Sequence, residues 1–114
     1  MDLTSLRAKY TTRGLDIKDL NPNPFLQFEI WFNEAMDAKL TEPNAFSLAT
    51  VGTDMMPSIR TVLLKIFDQK GFVFFTNYKS NKAKQIEENP KAAALFAWLE
   101  LERQVKIEGN IEKI

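Results

Sequence analysis

The apolar pattern of this 114-residue chain changes period near residue 45, and that change constrains its fold more than any other feature. Upstream, Phe28, Trp31, Phe32 and Ala35 recur at i, i+3, i+4 and i+7, the spacing of one helix face. Asn23 can cap such a helix, and Pro24 suits its first position because the N–H that proline lacks would have no intrahelical partner there. The pattern predicts a helix from Pro24 that fades near Leu40, before Pro43. Downstream, Ala45–Val51 is a β-rich apolar run, Gly52-Thr53-Asp54 reads as a turn, and Ser58–Ile66 as the next strand. Asp68–Gly71 makes a second turn before Phe72–Thr76, so the run resembles a meander of antiparallel hairpins. A shorter helix fits Asn81–Glu88, capped by Ser80 and ended by Asn89-Pro90. Ala92–Leu99 is almost continuously apolar, as in a strand buried on both faces. Gln104–Glu108 alternates, Gly109-Asn110 reads as a turn, and Ile111–Ile114 opens a further strand. The expectation is a mainly β, antiparallel α+β fold, incomplete at its C-terminus. No turn or cap closes the last strand, so either the chain is a fragment or another subunit covers that edge.

Residues 1–23 are polar and irregular, punctuated by Gly14 and Asn21-Pro22-Asn23-Pro24, and read as an N-terminal arm preceding one domain over 24–114. Arg7, Lys9 and Arg13 give the arm a positive bias, which suits either a solvated tail or a segment closing over a ligand. The whole chain balances 15 basic against 15 acidic residues, which disfavours a general nucleic-acid or anionic-membrane binder. Without Cys there is no thiol nucleophile, disulfide or iron–sulfur site; without His there is no imidazole base or His metal ligand, and no metal centre is expected. No apolar run reaches transmembrane length and the N-terminus lacks a signal-peptide stretch, so a cytoplasmic location is expected. The remaining chemistry must come from Lys, Arg, Asp, Glu, Tyr, Ser and Thr, or from a bound organic cofactor.

Three clusters can carry it. Arg60 and Lys65 flank Thr61-Val62-Leu63-Leu64; strand alternation sends the two cations to opposite faces unless a bulge intervenes. They are either strand-end charges reaching solvent or contacts to different parts of one anionic ligand. Thr76-Asn77-Tyr78-Lys79-Ser80-Asn81-Lys82 leaves a strand and enters a helix, whose free N–H groups and partial positive charge suit a phosphate, with Ser80, Lys79 and Lys82 adding a hydroxyl and charge; an ordinary capped helix has the same look. Gln104, after Glu102-Arg103, can donate and accept at once, which suits a heterocycle with carbonyl and ring-nitrogen edges. A phosphorylated, flat heterocycle on a small antiparallel barrel satisfies all three, and flavin mononucleotide (FMN) fits best.

In this order and spacing the motifs resemble the pyridoxamine 5'-phosphate oxidase family. The resemblance runs through Arg60–Lys65, Gly71–Lys82, Gln85-Ile86-Glu87-Glu88-Asn89-Pro90 and Leu101-Glu102-Arg103-Gln104-Val105, with Leu6–Tyr10 and Gly14-Leu15 similar to the family's N-terminal arm. It implies a split β-barrel that binds FMN at a homodimer interface and oxidises pyridoxine or pyridoxamine 5'-phosphate to pyridoxal 5'-phosphate, with dioxygen as the final acceptor. By position it implies that Arg60, Thr61, Val62, Leu63, Leu64 and Lys65 line the FMN site. Arg60 and Lys82 would hold the phosphate, helped by Phe75, Thr76 and Ser80, and Gln104 would contact the flavin from the second subunit. Lys65, Arg7 and Tyr10 would meet the substrate. Two positions depart from the family: Asn81 stands where Arg is usual, with Lys79 a partial replacement, and Ala8-Lys9 stand where Arg and an acidic residue are favoured. Family members also continue well past residue 114, through Ser-Arg-Pro and Arg-Leu-His segments. The alternatives to the oxidase are a non-catalytic FMN-binding split barrel and an inactive truncated form.

Overall fold

The computed structural model describes residues 1–6 and 14–114. A 3-10 turn at Ile17–Asp19 leads into helix α1 (Pro24–Asp37), followed by β1 (Ala45–Val51), β2 (Pro57–Asp68), β3 (Gly71–Phe74), α2 (Asn81–Glu88), β4 (Lys91–Trp98) and β5 (Arg103–Asn110). The strands form one antiparallel sheet in the order β3-β2-β1-β4-β5. Both helices begin as capping chemistry dictates: Asn23 accepts a hydrogen bond from the Phe25 N–H, and Ser80 from the Ala83 N–H. The first helix ends at Asp37, earlier than its apolar pattern suggested, and the chain turns through Lys39 in the left-handed region (φ 57°).

One face of the sheet carries the core. Phe46 and Leu48 of β1, Val62 and Leu64 of β2, and Phe96 and Trp98 of β4 are buried with Phe28, Trp31 and Ala35 of α1. Period two on the strands and 3.6 on the helix bring these residues to one layer. Phe28 sits at its centre, its ring 4.9–5.8 Å from those of Phe32, Phe67, Phe72, Phe96 and Trp98. The Trp98 indole N–H reaches the Pro43 carbonyl at 2.9 Å, so its polar edge is satisfied. Trp31 closes the rim, with the Arg103 guanidinium over its ring at 4.8 Å and also paired with Glu34.

The hairpins follow their turn residues. Gly71 adopts φ 145°, a conformation that favours glycine, and the Asp68 carboxylate accepts from the Lys70 N–H at 2.7 Å to tighten the β2–β3 turn. Between Leu64 and Ile66 the β2–β3 register shifts, and Lys65 occupies the irregularity. Asn44 brackets this point: its backbone carbonyl accepts from the Leu64 N–H and its side-chain amide donates to the Leu64 carbonyl.

Four further expectations are corrected. Gly109-Asn110 is not a turn: both residues pair with Ala92 and Lys91, and β5 runs through them because a paired neighbour outweighs local turn propensity. Ile111–Ile114 forms no strand; Ile111 instead donates its N–H to the Pro90 carbonyl at 2.8 Å. The apolar run of β4 is buried on one face, since Phe96 and Trp98 are buried while Ala93 and Leu95 are half-buried and Ala97 is exposed. Strand β3 also stops at Phe74, which leaves Phe75 and Thr76 in the connection to α2.

Candidate anion-binding site

The inner face of the sheet changes character at its α2 end. Buried parity continues along β1 from Phe46 and Leu48 to Thr50, and along β2 from Leu64 and Val62 to Arg60 and Ser58. Thr50 is 3% exposed, the only buried polar residue among those described. Helix α2 packs against this corner, and Gln85 faces it. The Arg60 guanidinium donates from Nη1 to the Leu48 carbonyl (3.1 Å) and to Thr50 Oγ1 (2.6 Å), and from Nη2 to Gln85 Oε1 (3.4 Å). Thr50 passes its own proton to Gln85 Oε1 at 2.7 Å, and Gln85 Nε2 donates to Ser58 Oγ at 2.9 Å. The network is closed and contains no carboxylate.

Lys82, in the first turn of α2, joins this corner. Burial lowers its pKa from the ordinary lysine value, and the neighbouring Arg60 charge lowers it further. Burial also lowers the Arg60 pKa. Among the described residues neither cation forms an ion pair. Two partly desolvated cations that repel one another favour an anion between or beside them. Thr76, at the approach to α2, adds a second sign: its hydroxyl is buried without a hydrogen-bond partner. An orphaned buried hydroxyl costs roughly 1–3 kcal/mol unless something binds it. With the free N–H groups at the start of α2, these side chains fit a phosphate.

The remaining site residues read from sequence fall in three places. Val62 (8% exposed) and Leu64 (5%) point into the core, so only their backbone is available to a ligand. Thr61 is exposed and Leu63 half-buried on the opposite parity, and Lys65 is exposed at the register shift. Ser80 commits its oxygen to capping α2 but keeps a hydroxyl proton to donate; Phe75 and Lys79 are exposed in the preceding loop, and Asn81 is exposed at the first position of α2. Gln104 is exposed on β5, opposite Ala97 and separated from β2 by β1 and β4, so this chain does not bring it to the Arg60 corner. Arg7 and Tyr10 lie outside the described residues. A cavity of about 590 Å³ between residues 14–22, α1 and Arg103 shares no lining residue with the Arg60 corner.

Thr50 and Ser58 were missed by motif reading, and Gln85 was read as part of a motif without a site role. A polar residue on the buried parity of an otherwise apolar strand was the available signal for Thr50.

Comparison with known proteins gives the family and the fold. A family profile described as pyridoxamine 5'-phosphate oxidase matches residues 32–114. A pyridoxine/pyridoxamine 5'-phosphate oxidase of Aliarcobacter butzleri is 86% identical over all 114 residues, which make up 54% of that protein. One from Crocosphaera subtropica is 65% identical over the same span and 53% of its length. The chain therefore spans about half the length of the curated relatives it matches. Among solved structures, PhzG from Burkholderia lata 383, in complex with tetrahydrophenazine-1-carboxylic acid, matches at 30% identity and a TM-score of 0.78, over 82% of this chain and 46% of that one. A pyridoxamine 5'-phosphate oxidase-related, FMN binding protein from Nostoc punctiforme matches at 24% identity and a TM-score of 0.65, over 81% and 48% of the two chains. The curled five-stranded antiparallel sheet with its two helices is thus the split-barrel fold, and the chain belongs to the pyridoxamine 5'-phosphate oxidase family.

Proposed function

We propose that this chain carries the FMN-binding half of a pyridoxine/pyridoxamine 5'-phosphate oxidase. The observation that supports it most is the corner beneath α2, where Arg60 and Lys82 have no acidic partner among the described residues; the unsatisfied Thr76 hydroxyl lies on the chain's approach to α2. In this reading Arg60 and Lys82 bind the FMN phosphate, and Thr76 and Ser80 donate hydroxyl protons to it. Bound FMN supplies the hydride acceptor for oxidation at the substrate's C4' carbon and passes the electrons to dioxygen. Thr61 and Leu63 lie on the other parity of the same strand, and Lys65, exposed at the register shift, meets the phosphate of pyridoxine or pyridoxamine 5'-phosphate. Arg7 and Tyr10 belong to an arm over residues 1–23 that covers the substrate, preceding a single domain over 24–114. Gln104 lies at the far side of the sheet, so its contact with flavin comes from a second protomer, and the working unit is a homodimer in the cytoplasm.

A second reading is favoured by length, because the chain spans 54% of its relative from Aliarcobacter butzleri. By itself it then binds flavin without turning over substrate. Titration with FMN, followed by flavin fluorescence, tests both. Saturable binding is the expected result, and no binding by the folded chain overturns both. Conversion of pyridoxine 5'-phosphate to pyridoxal 5'-phosphate with release of peroxide selects the first reading; binding without conversion selects the second.

A further inference from the structure

Arginine has five N–H donors. The contacts to Leu48, Thr50 and Gln85 use three of those on Arg60, which leaves two for a ligand. All three acceptors are neutral: a carbonyl, a hydroxyl and an amide. This is an unusual way to hold a half-buried guanidinium, since a carboxylate makes a stronger partner. A carboxylate is at hand one turn further along α2, but it is engaged elsewhere. Glu88 Oε2 accepts from the Thr53 N–H at 2.9 Å and from Thr53 Oγ1 at 3.3 Å. Gly52 makes room for that contact, because a Cβ there would lie 2.5 Å from Glu88 Oε2. The acid is held on the β1–β2 turn while the amide faces the guanidinium.

We infer that Gln85, acting with Thr50, is a positioning residue that aims Arg60 at a phosphate while leaving its charge undischarged. Gln85 Oε1 receives both Arg60 Nη2 and the Thr50 hydroxyl, and its Nε2 is fixed on Ser58. These bonds set the amide orientation, and the amide in turn sets the plane of the guanidinium. A glutamate at this position would hold the same plane but form an ion pair with Arg60. The local potential that attracts a dianion would then fall. The inference rests on the proposal that Arg60 and Lys82 bind the FMN phosphate.

Riboflavin, which lacks the phosphate, separates aiming from folding. The experiment titrates the full chain and its Arg60→Ala, Gln85→Glu, Thr50→Val and Thr50→Ser variants with FMN and with riboflavin, and records a melting curve for each. Gln85→Glu is expected to raise the FMN Kd about tenfold, because its ion pair with Arg60 lowers the potential that attracts the phosphate, with the riboflavin Kd unchanged. Thr50→Val should weaken FMN binding selectively, and Thr50→Ser should restore it. Gln85→Glu binding FMN as tightly as the unmodified chain overturns the inference. Should that variant fail to fold, the Thr50 pair decides: equal weakening of FMN and riboflavin, or no recovery with serine, overturns it. Arg60→Ala separates the two levels of the argument. If it leaves the preference for FMN over riboflavin intact, the phosphate reading falls and this inference with it. If it abolishes that preference while Gln85→Glu does not, only the role of Gln85 falls.

Discussion

Phe28, packed from α1 onto the core face of the sheet, and Arg60, at the α2 end of that same face, are held in different ways. Phe28 is 3% exposed and meets five aromatic rings from α1, β2, β3 and β4. Its stabilisation is non-directional and spread over many contacts. Arg60 is held by three hydrogen bonds to neutral oxygens, in a corner where burial works against its charge and its charge works against that of Lys82. The aromatic region is stable as it stands. Among the described residues the two cations of the polar corner have no ion-pair partner, and Thr76, on the approach to α2, keeps a buried hydroxyl unsatisfied; in the proposed function a phosphate relieves these features. Strain of this kind concentrates where a ligand binds, and the comparison separates what folds the chain from what it binds with.

Phe28→Ala should break the first region. Truncating a core phenylalanine costs about 3–5 kcal/mol, visible as a lower urea midpoint. Lys82→Ala should act on the second region alone. Loss of a charge-assisted hydrogen bond is worth about 1.5–3 kcal/mol, so the FMN Kd should rise roughly ten- to a hundredfold. The melting temperature should hold or rise slightly, because Lys82 is charged against both burial and Arg60.

A smaller effect appears with pH. The folded-state pKa of Lys82 lies below the ordinary 10.5, so the folded chain loses this proton before the unfolded chain does. The stability cost of the charge is present at neutral pH and is relieved as pH rises through the folded pKa. FMN affinity should move the other way, weakening as Lys82 deprotonates on the alkaline side, below 10.5. Titration at stepped pH checks this, and Lys82→Ala should flatten that part of the profile. The smallest effect is expected at Lys113, which pairs with Glu87 at 3.2 Å and lies over the Tyr78 ring at 4.7 Å. Both partners of that ion pair are mostly exposed, so Lys113→Ala should cost less than about 1 kcal/mol in chemical denaturation.

The same division governs what the sequence could reveal. Asn23, Pro24 and Ser80 marked both helix starts because capping is chemistry within a few residues. The β-rich apolar run Ala45–Val51 located β1. The end of β5 was not legible, since Gly109 and Asn110 carry turn propensity and only pairing with Ala92 and Lys91 makes them strand. The irregularity at Lys65 was equally hidden, because it coincides with contacts that Asn44 makes across the fold. Arg60 and Lys82 were readable as charged residues in motifs. Their neutral partners were not, because Thr50, Ser58 and Gln85 acquire meaning only when α2 packs onto the sheet, 35 residues separating Thr50 from Gln85.

The claim that the α2 corner is a phosphate site is tested most directly by comparing FMN and riboflavin binding to the unmodified chain. Two cations without ion-pair partners among the described residues should make FMN bind at least about tenfold more tightly. Equal affinity for the two flavins would contradict the account, since the corner would then contribute nothing that the phosphate can use.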